Sequence, residues 1–238
     1  IGKDVSDYFQ AYLDSPDWAP LLRNARQILA DHPVNRTRVE KGKRPATSIW
    51  HWGSGKMPAM PSLNARFNIS GTMISAVDLL NGLGVCVGLD IAKVEGATGY
   101  IDTNYEGKAA AALEALETQD FVFVHLEAPD EAGHQGRLDH KIQAIEDFDQ
   151  RIVGPVVAAL RERQQPFRVV VTMDHFTPLS LQTHTAEPVP AMIYDSRHAA
   201  NGSGLPLDER LLIGNNGLHR IAGYRLIEYL LEKRVPHG

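Results

Sequence analysis

Two short stretches concentrate the residue types that hold cations. EAPDEAGHQG, Glu127 to Gly136, carries three carboxylates and a histidine, and it follows the apolar run Phe121, Val122, Phe123, Val124. RVVVTM, 168 to 173, is followed directly by Asp174 and His175, and THTAEPVP supplies His184 shortly afterwards. Asp130, His134, Asp174, His175 and His184 together form the mixed oxygen and imidazole set that borderline divalent metals accept. The Asp-x-x-x-His spacing puts Asp130 and His134 on one side of a turn that Pro129 and Gly133 make easy to form. Taken singly, each of these residues reads first as a helix cap or a satisfied core histidine; a metal site becomes the better reading if two strand ends and a loop present all five at the same edge. On composition Glu127 and Glu131 are also donors, but Glu131 is expected to cap or face solvent and Glu127 to orient a ligand from outside the coordination sphere. His125 alternates with Val124 and Leu126 and is expected to be a buried structural residue.

The elements that must position these groups follow from the hydropathy pattern. From about residue 89 short apolar runs alternate with long amphipathic segments, the order that favours a mostly parallel sheet with helices on both faces. LDIAKV (89–94), FVFVHLE (121–127), RVVVTM (168–173) and PAMIY (190–194) are expected strands. TNYEGKAAAALEAL is an expected helix, with Thr103 and Glu106 at capping-box spacing. A long helix is expected over KIQAIEDFDQRIVGPVVAALRER, with Ile142, Ile145, Ile152, Val153, Val156 and Leu160 near one face, and a terminal helix over LHRIAGYRLIEYLLEK. In such sheets ligands gather beyond the carboxyl ends of the parallel strands, where both Asp/His stretches lie. Residues 1–64, rich in chain breakers and containing IWHWGSG, read as a separate lobe, and 65–238 as the metal-binding core.

Composition narrows the function classes. The 238 residues are 43% hydrophobic and carry a formal net charge of −5, enough for a sizeable core and contrary to general nucleic-acid binding. No run of about 18 apolar residues exists to span a membrane, so neither nucleic acid nor membrane is an expected partner. A single cysteine, Cys86, permits no internal disulfide, and the cytoplasm is the default compartment. The Asn-x-Ser/Thr matches at Asn35, Asn68 and Asn201 are therefore read as chance. Gly82, Gly84 and Gly88 of NGLGVCVG do not match dinucleotide-binding spacing. Oligomeric state is not legible.

APDEAGH, MDHFTP and THTAEPVP, with GTMISAVDLLNGLG, GATGYIDTNYEGKA and IWHWGSGKMP, resemble the archaeal-type cofactor-independent phosphoglycerate mutases of the alkaline phosphatase superfamily, over nearly the whole chain from about Asn35. The resemblance implies an alkaline phosphatase-like core with part of an inserted cap lobe. It implies an isomerase with two divalent metal ions, Mn2+ or Zn2+, with Co2+ or Mg2+ as alternatives, and no 2,3-bisphosphoglycerate requirement. The substrate would be a small phosphorylated hydroxy acid, 3-phosphoglycerate, converted to 2-phosphoglycerate through a phosphoserine. Carried over by motif, Asp130, His134 and His184 would hold one ion, and Asp174 and His175 the other. In such enzymes a further aspartate ligand and the nucleophilic serine precede the cap lobe; no serine here sits in a convincing nucleophile context. The chain is thus expected to be the carboxyl-terminal portion of the enzyme and inactive by itself.

A phosphorylated acid needs cationic clamps. Arg36, Arg38, Lys41, Lys43, Arg44 and Lys56 lie between residues 36 and 56 against one acid, Glu40, which reads either as a solvated basic face or as a clamp. Arg44 and Lys56, flanking IWHWGSG, are the expected substrate contacts. Lys108, near a helix start, is a third or an exposed helix lysine. The rival readings are a related phosphatase or homoserine-phosphorylating enzyme with the same metal set and, from another class, a non-catalytic metal-binding remnant.

Overall fold

The computed structural model of the chain describes residues 4–51, 53, 55–212 and 218–232. Trp52 and Ser54 of IWHWGSG lie outside the described residues, as does Lys233 at the end of the expected terminal helix. The chain divides into two compact units, Ile1–Met57 and Pro58–Gly238. In the first, α1 (Ser6–Asp14), α2 (Ala19–Ala30) and α3 (Pro33–Glu40) are the regular elements. Proline within the first turns of α2 and α3 occupies positions whose N–H needs no intrahelical partner. Phe9 and Tyr12 of α1 pack on Trp50, and Trp18 on His51, at ring-centroid distances of 4.3–6.2 Å. Asn35, buried, stitches the unit together: its amide donates to the Leu29 and Ala46 carbonyls and its oxygen accepts from the Ala46 N–H.

The second unit begins with the short helix α4 (Leu63–Phe67), capped by the Ser62 hydroxyl. The strand β1 (Gly71–Ile74) then runs between β2 (Asp90–Ile91) and β3 (Phe121–Val124), parallel to both. Between β1 and β2 lies α5 (Asp78–Cys86), and between β2 and β3 lies α6 (Tyr105–Ala115). β1 is buried at every position, and a Cβ added at Gly71 would stand 2.8 Å from the Phe121 carbonyl. Ile74, Met73, Leu89, Phe67, Tyr105, Ala109 and Ala112 form the core against which α6 lies.

After β3 come α7 (Ala128–His134), α8 (Leu138–Phe148), a π-helical turn (Asp149–Val153) and α9 (Gly154–Glu162). The strands β4 (Arg168–Thr172) and β5 (Ala191–Asp195) follow, and α10 (Leu226–Leu231) lies against β4.

Several expectations are corrected. The buried strand β1 was not read from the sequence at all, because four residues give no periodicity to count. β2 is two residues rather than six, with Ala92 N–H making one further bond to Met73 O. β4 and β5 pair antiparallel in a sheet of their own, Arg168 opposite Asp195. The cap of α6 is Asn104, whose side chain accepts from Gly107 N–H at 2.8 Å; Thr103 instead accepts from Thr98 N–H, and Glu106 pairs with Arg151. The expected single face of the 141–163 helix is broken, with Ile142 and Ile145 about half exposed while Ile152 is buried. The π turn is the cause, because its extra residue offsets the side-chain pattern by one position beyond it.

Candidate metal centre

The site is built by two segments of the second unit. At the carboxyl end of β3, His125 N–H still donates to Ile74 O, and the chain then enters α7 with Pro129 in its first turn. Helical spacing places Asp130 and His134 on one face, while Ala128, Ala132 and Gly133 are buried. The second segment leaves β4 at Thr172, passes Asp174 and His175, and folds back so that Thr185 N–H bonds Phe176 O. A turn closes on the Pro178 carbonyl, and Gln182, in the left-handed region at φ 52°, presents its own carbonyl to His134.

The two segments converge. His134 Nε2 is 3.2 Å from Asp130 Oδ2 and 3.0 Å from His184 Nε2, and His184 Nε2 is 3.4 Å from Asp130 Oδ1. His134 Nδ1 lies 2.9 Å from Gln182 O. A carbonyl can only accept, so Nδ1 carries the proton and Nε2 offers a lone pair. His175 stacks on His184 with centroids 3.7 Å apart, and its Nε2 is 3.1 Å from Asp174 Oδ2. Asp130, His175 and His184 also present donor atoms within 4.8 Å of one another.

These distances test whether a cation fits. Tetrahedral coordination with bonds of about 2.0–2.1 Å places neighbouring donors about 3.3–3.4 Å apart. The three contacts among Asp130, His134 and His184, at 3.0, 3.2 and 3.4 Å with one carboxylate oxygen of Asp130 toward each imidazole, lie near that spacing. A carboxylate with two imidazoles is a donor set suited to zinc, manganese or cobalt. The residues present therefore fit a divalent ion. The structure gathers Asp130, His134, His175 and His184, whereas Asp174, 76% exposed, contacts only His175 among them.

Around the ligands lies a half-buried polar shell. His125 Nδ1 faces Ser75 Oγ at 3.2 Å and its Nε2 faces Glu127 Oε2 at 3.4 Å. Burial holds the Glu127 carboxyl above its ordinary range, and repulsion from Asp130, Glu131 and Asp174 adds to this. The His125 imidazole is held below its usual value, first by burial and then by Lys108. Lys108 itself has no exposed surface; its ammonium donates to the His125 carbonyl at 2.9 Å, and burial lowers its pKa. The alternative of an exposed helix lysine is thus corrected, since α6 turns this side chain inward under the strand ends.

Arg44 and Lys56 lie in the first unit and are exposed. Within the basic stretch, Arg36 is committed to the Asp31 carbonyl and Arg38 to the Arg44 carbonyl. Sequence reasoning missed Thr177, Gln182 and Lys141. Thr177 donates to Asp130, and Lys141 Nζ donates to Thr177 O at 2.7 Å. Thr177 stands within MDHFTP, two residues beyond a ligand, which is the one signal that would have pointed to it.

The chain matches the family described as the metalloenzyme superfamily over residues 27–233. It is 52% identical over 213 residues to a protein of Geobacter sulfurreducens named probable 2,3-bisphosphoglycerate-independent phosphoglycerate mutase, covering 90% of this chain and 53% of that relative. It is 46% identical over 208 residues to the 2,3-bisphosphoglycerate-independent phosphoglycerate mutase of Methanosarcina barkeri, covering 87% of this chain and 52% of the relative. Among solved structures, a Pyrococcus horikoshii protein superposes with a TM-score of 0.65 at 31% identity, over 76% of this chain and 48% of that one. The chain spans about half the length of these curated relatives. With a family match across most of its length and a cation-sized donor set at its strand ends, the chain belongs to the metalloenzyme superfamily.

Proposed function

We propose that this chain forms the metal-holding part of a cofactor-independent phosphoglycerate mutase, which interconverts 3-phosphoglycerate and 2-phosphoglycerate through a phosphoserine without 2,3-bisphosphoglycerate. The observation that carries the reading is the Asp130–His134–His184 triangle, in a chain 52% identical to a relative of that name. Asp130, His134 and His184 would hold one divalent ion, and Asp174 and His175 would contribute to a second. Bound there, the ions supply neutralisation of phosphoryl oxygen charge and activation of the attacking hydroxyl.

The chain's own residues do the rest. Gln182 O keeps the proton of His134 on Nδ1, which leaves Nε2 free for coordination. Lys108, buried beneath the strand ends, places positive charge close to Glu127. Arg44 and Lys56 would clamp the phosphate or carboxylate of the substrate, arginine through two parallel donors. The serine that takes the phosphoryl group is expected outside this chain. No helix among the described residues is long and apolar enough to cross a membrane, and the cytoplasm, where the substrate is found, is the proposed location.

An enolase-coupled assay tests this on the chain and on the longest reading frame that contains it, with Mn2+ or Zn2+ and no bisphosphoglycerate. Turnover of 3-phosphoglycerate by the longer protein, abolished by chelation, is expected. Turnover that survives exhaustive chelation or requires bisphosphoglycerate would overturn the reading. Phosphate release, or phosphorylation of homoserine, in place of isomerisation would assign the same ligands to another acceptor. Metal binding without any turnover would leave a non-catalytic remnant.

A further inference from the structure

Thr177 is 3% exposed and has its hydroxyl between two of the expected ligands. It donates to Asp130 Oδ1 and lies 3.3 Å from His175 Nδ1. A hydroxyl has one proton to give and lone pairs to receive with. An ionised carboxylate can only accept, so that proton belongs to Asp130 and the contact with His175 requires the imidazole to donate from Nδ1. Asp174 Oδ2, also an acceptor, lies 3.1 Å from the other ring nitrogen, Nε2, so the His175 ring is held from both sides, by Thr177 at Nδ1 and by Asp174 at Nε2.

The backbone of Thr177 is held just as closely. Lys141 Nζ, from α8, donates to its carbonyl at 2.7 Å. On the other side Gly133 of α7 approaches so near that an added Cβ would stand 2.6 Å from the same oxygen. The Thr177 main chain is thus pressed between α7 and α8 while its side chain spans the two ligand-bearing segments.

We propose that Thr177 is a positioning residue that orients Asp130 and the His175 ring through one hydroxyl, with Lys141 anchoring its backbone. This rests on the metal reading given above. Groups outside the coordination sphere that orient ligands are typically worth about 10–100-fold in metal affinity.

The test titrates the chain with Zn2+ alone, against a competing chelator. Thr177→Val is expected to lose about 10–100-fold in affinity, while Thr177→Ser, which keeps the hydroxyl, restores it. A wild-type chain that takes up no zinc would overturn the metal reading and this inference with it. Zinc affinity unchanged in Thr177→Val, or lost equally in Thr177→Ser, would overturn the inference and leave the metal reading standing. Should circular dichroism show the valine variant unfolded, Lys141→Met decides: about a tenfold loss is expected, and wild-type affinity would refute the anchoring role.

Discussion

Replacing His134 by alanine removes one corner of the Asp130–His134–His184 triangle, whose edges are 3.0, 3.2 and 3.4 Å. Four-ligand structural zinc sites are worth about 10–16 kcal/mol, or about 3 kcal/mol per ligand. At 1.4 kcal/mol per decade, losing one corner costs about 100-fold in affinity. His175 lies outside this triangle, with Nδ1 3.9 Å from Asp130 Oδ1, so His175→Ala is expected to lose no more than about tenfold, as a group that supports the site from outside does. Two protein ligands make a weak site, so about one tightly held ion per chain is expected for the wild type. Metal analysis after dialysis gives the stoichiometry, and chelator competition gives the affinities. Thermal melts of the metal-free variants show whether each still folds. Two tightly held ions per chain, or a larger loss from His175→Ala than from His134→Ala, would refute the division of the ligands.

Alanine at Arg44 or Lys56 should weaken phosphoglycerate use by the catalytically competent protein while metal content and melting temperature hold steady, because exposed substitutions usually change stability within about 0.5 kcal/mol; kinetics identical to wild type for both would return the stretch to a solvated face. Glu106, held at about 2 by its paired Arg151, is depressed below its ordinary value, so the pair stabilises the fold above the normal carboxylate range and that contribution fades as pH falls from about 4.5 toward 2. Glu106→Gln should flatten that part of the acid-unfolding profile, and an unaltered slope would count against the pairing. Gly71→Ala places a methyl 2.8 Å from the Phe121 carbonyl and should cost about 1–3 kcal/mol in urea unfolding; a neutral result would show that β1 and β3 can part at that point.

The ligands were legible because they stand where sequence is most informative. Asp130 and His134 follow an apolar run at helical spacing, and Asp174–His175 end another, so residue type and strand end coincide. The residues that hold them were not legible in the same way. Thr177 acts through its hydroxyl across 47 residues of chain and Lys141 through a backbone carbonyl across 36, links that no local pattern records. Apolar composition likewise revealed β4 and β5 but not their mutual direction. The connection of 173–190 contains no helix, and a helical crossover was the feature that would have signalled parallel pairing. Lys108 sits in an alanine-rich helix with little polar contrast between its faces, so nothing in TNYEGKAAAALEAL marked it as buried.

The π turn between α8 and α9 makes chain length itself a constraint. Removing one residue from Asp149–Val153 would let the α-helical hydrogen-bond ladder run unbroken, an improvement judged locally. Because a π turn closes i→i+5 where an α turn closes i→i+4, it takes up its extra residue within the one turn, and α9 keeps the rotation that a continuous helix would give it. The consequence falls on the turn itself, where Arg151 meets Glu106 and covers the Tyr105 ring at 4.4 Å and Ile152 enters the core. Loss of one residue there would be absorbed by everything beyond Val153 and felt at these two side chains, which a regular turn would reassign.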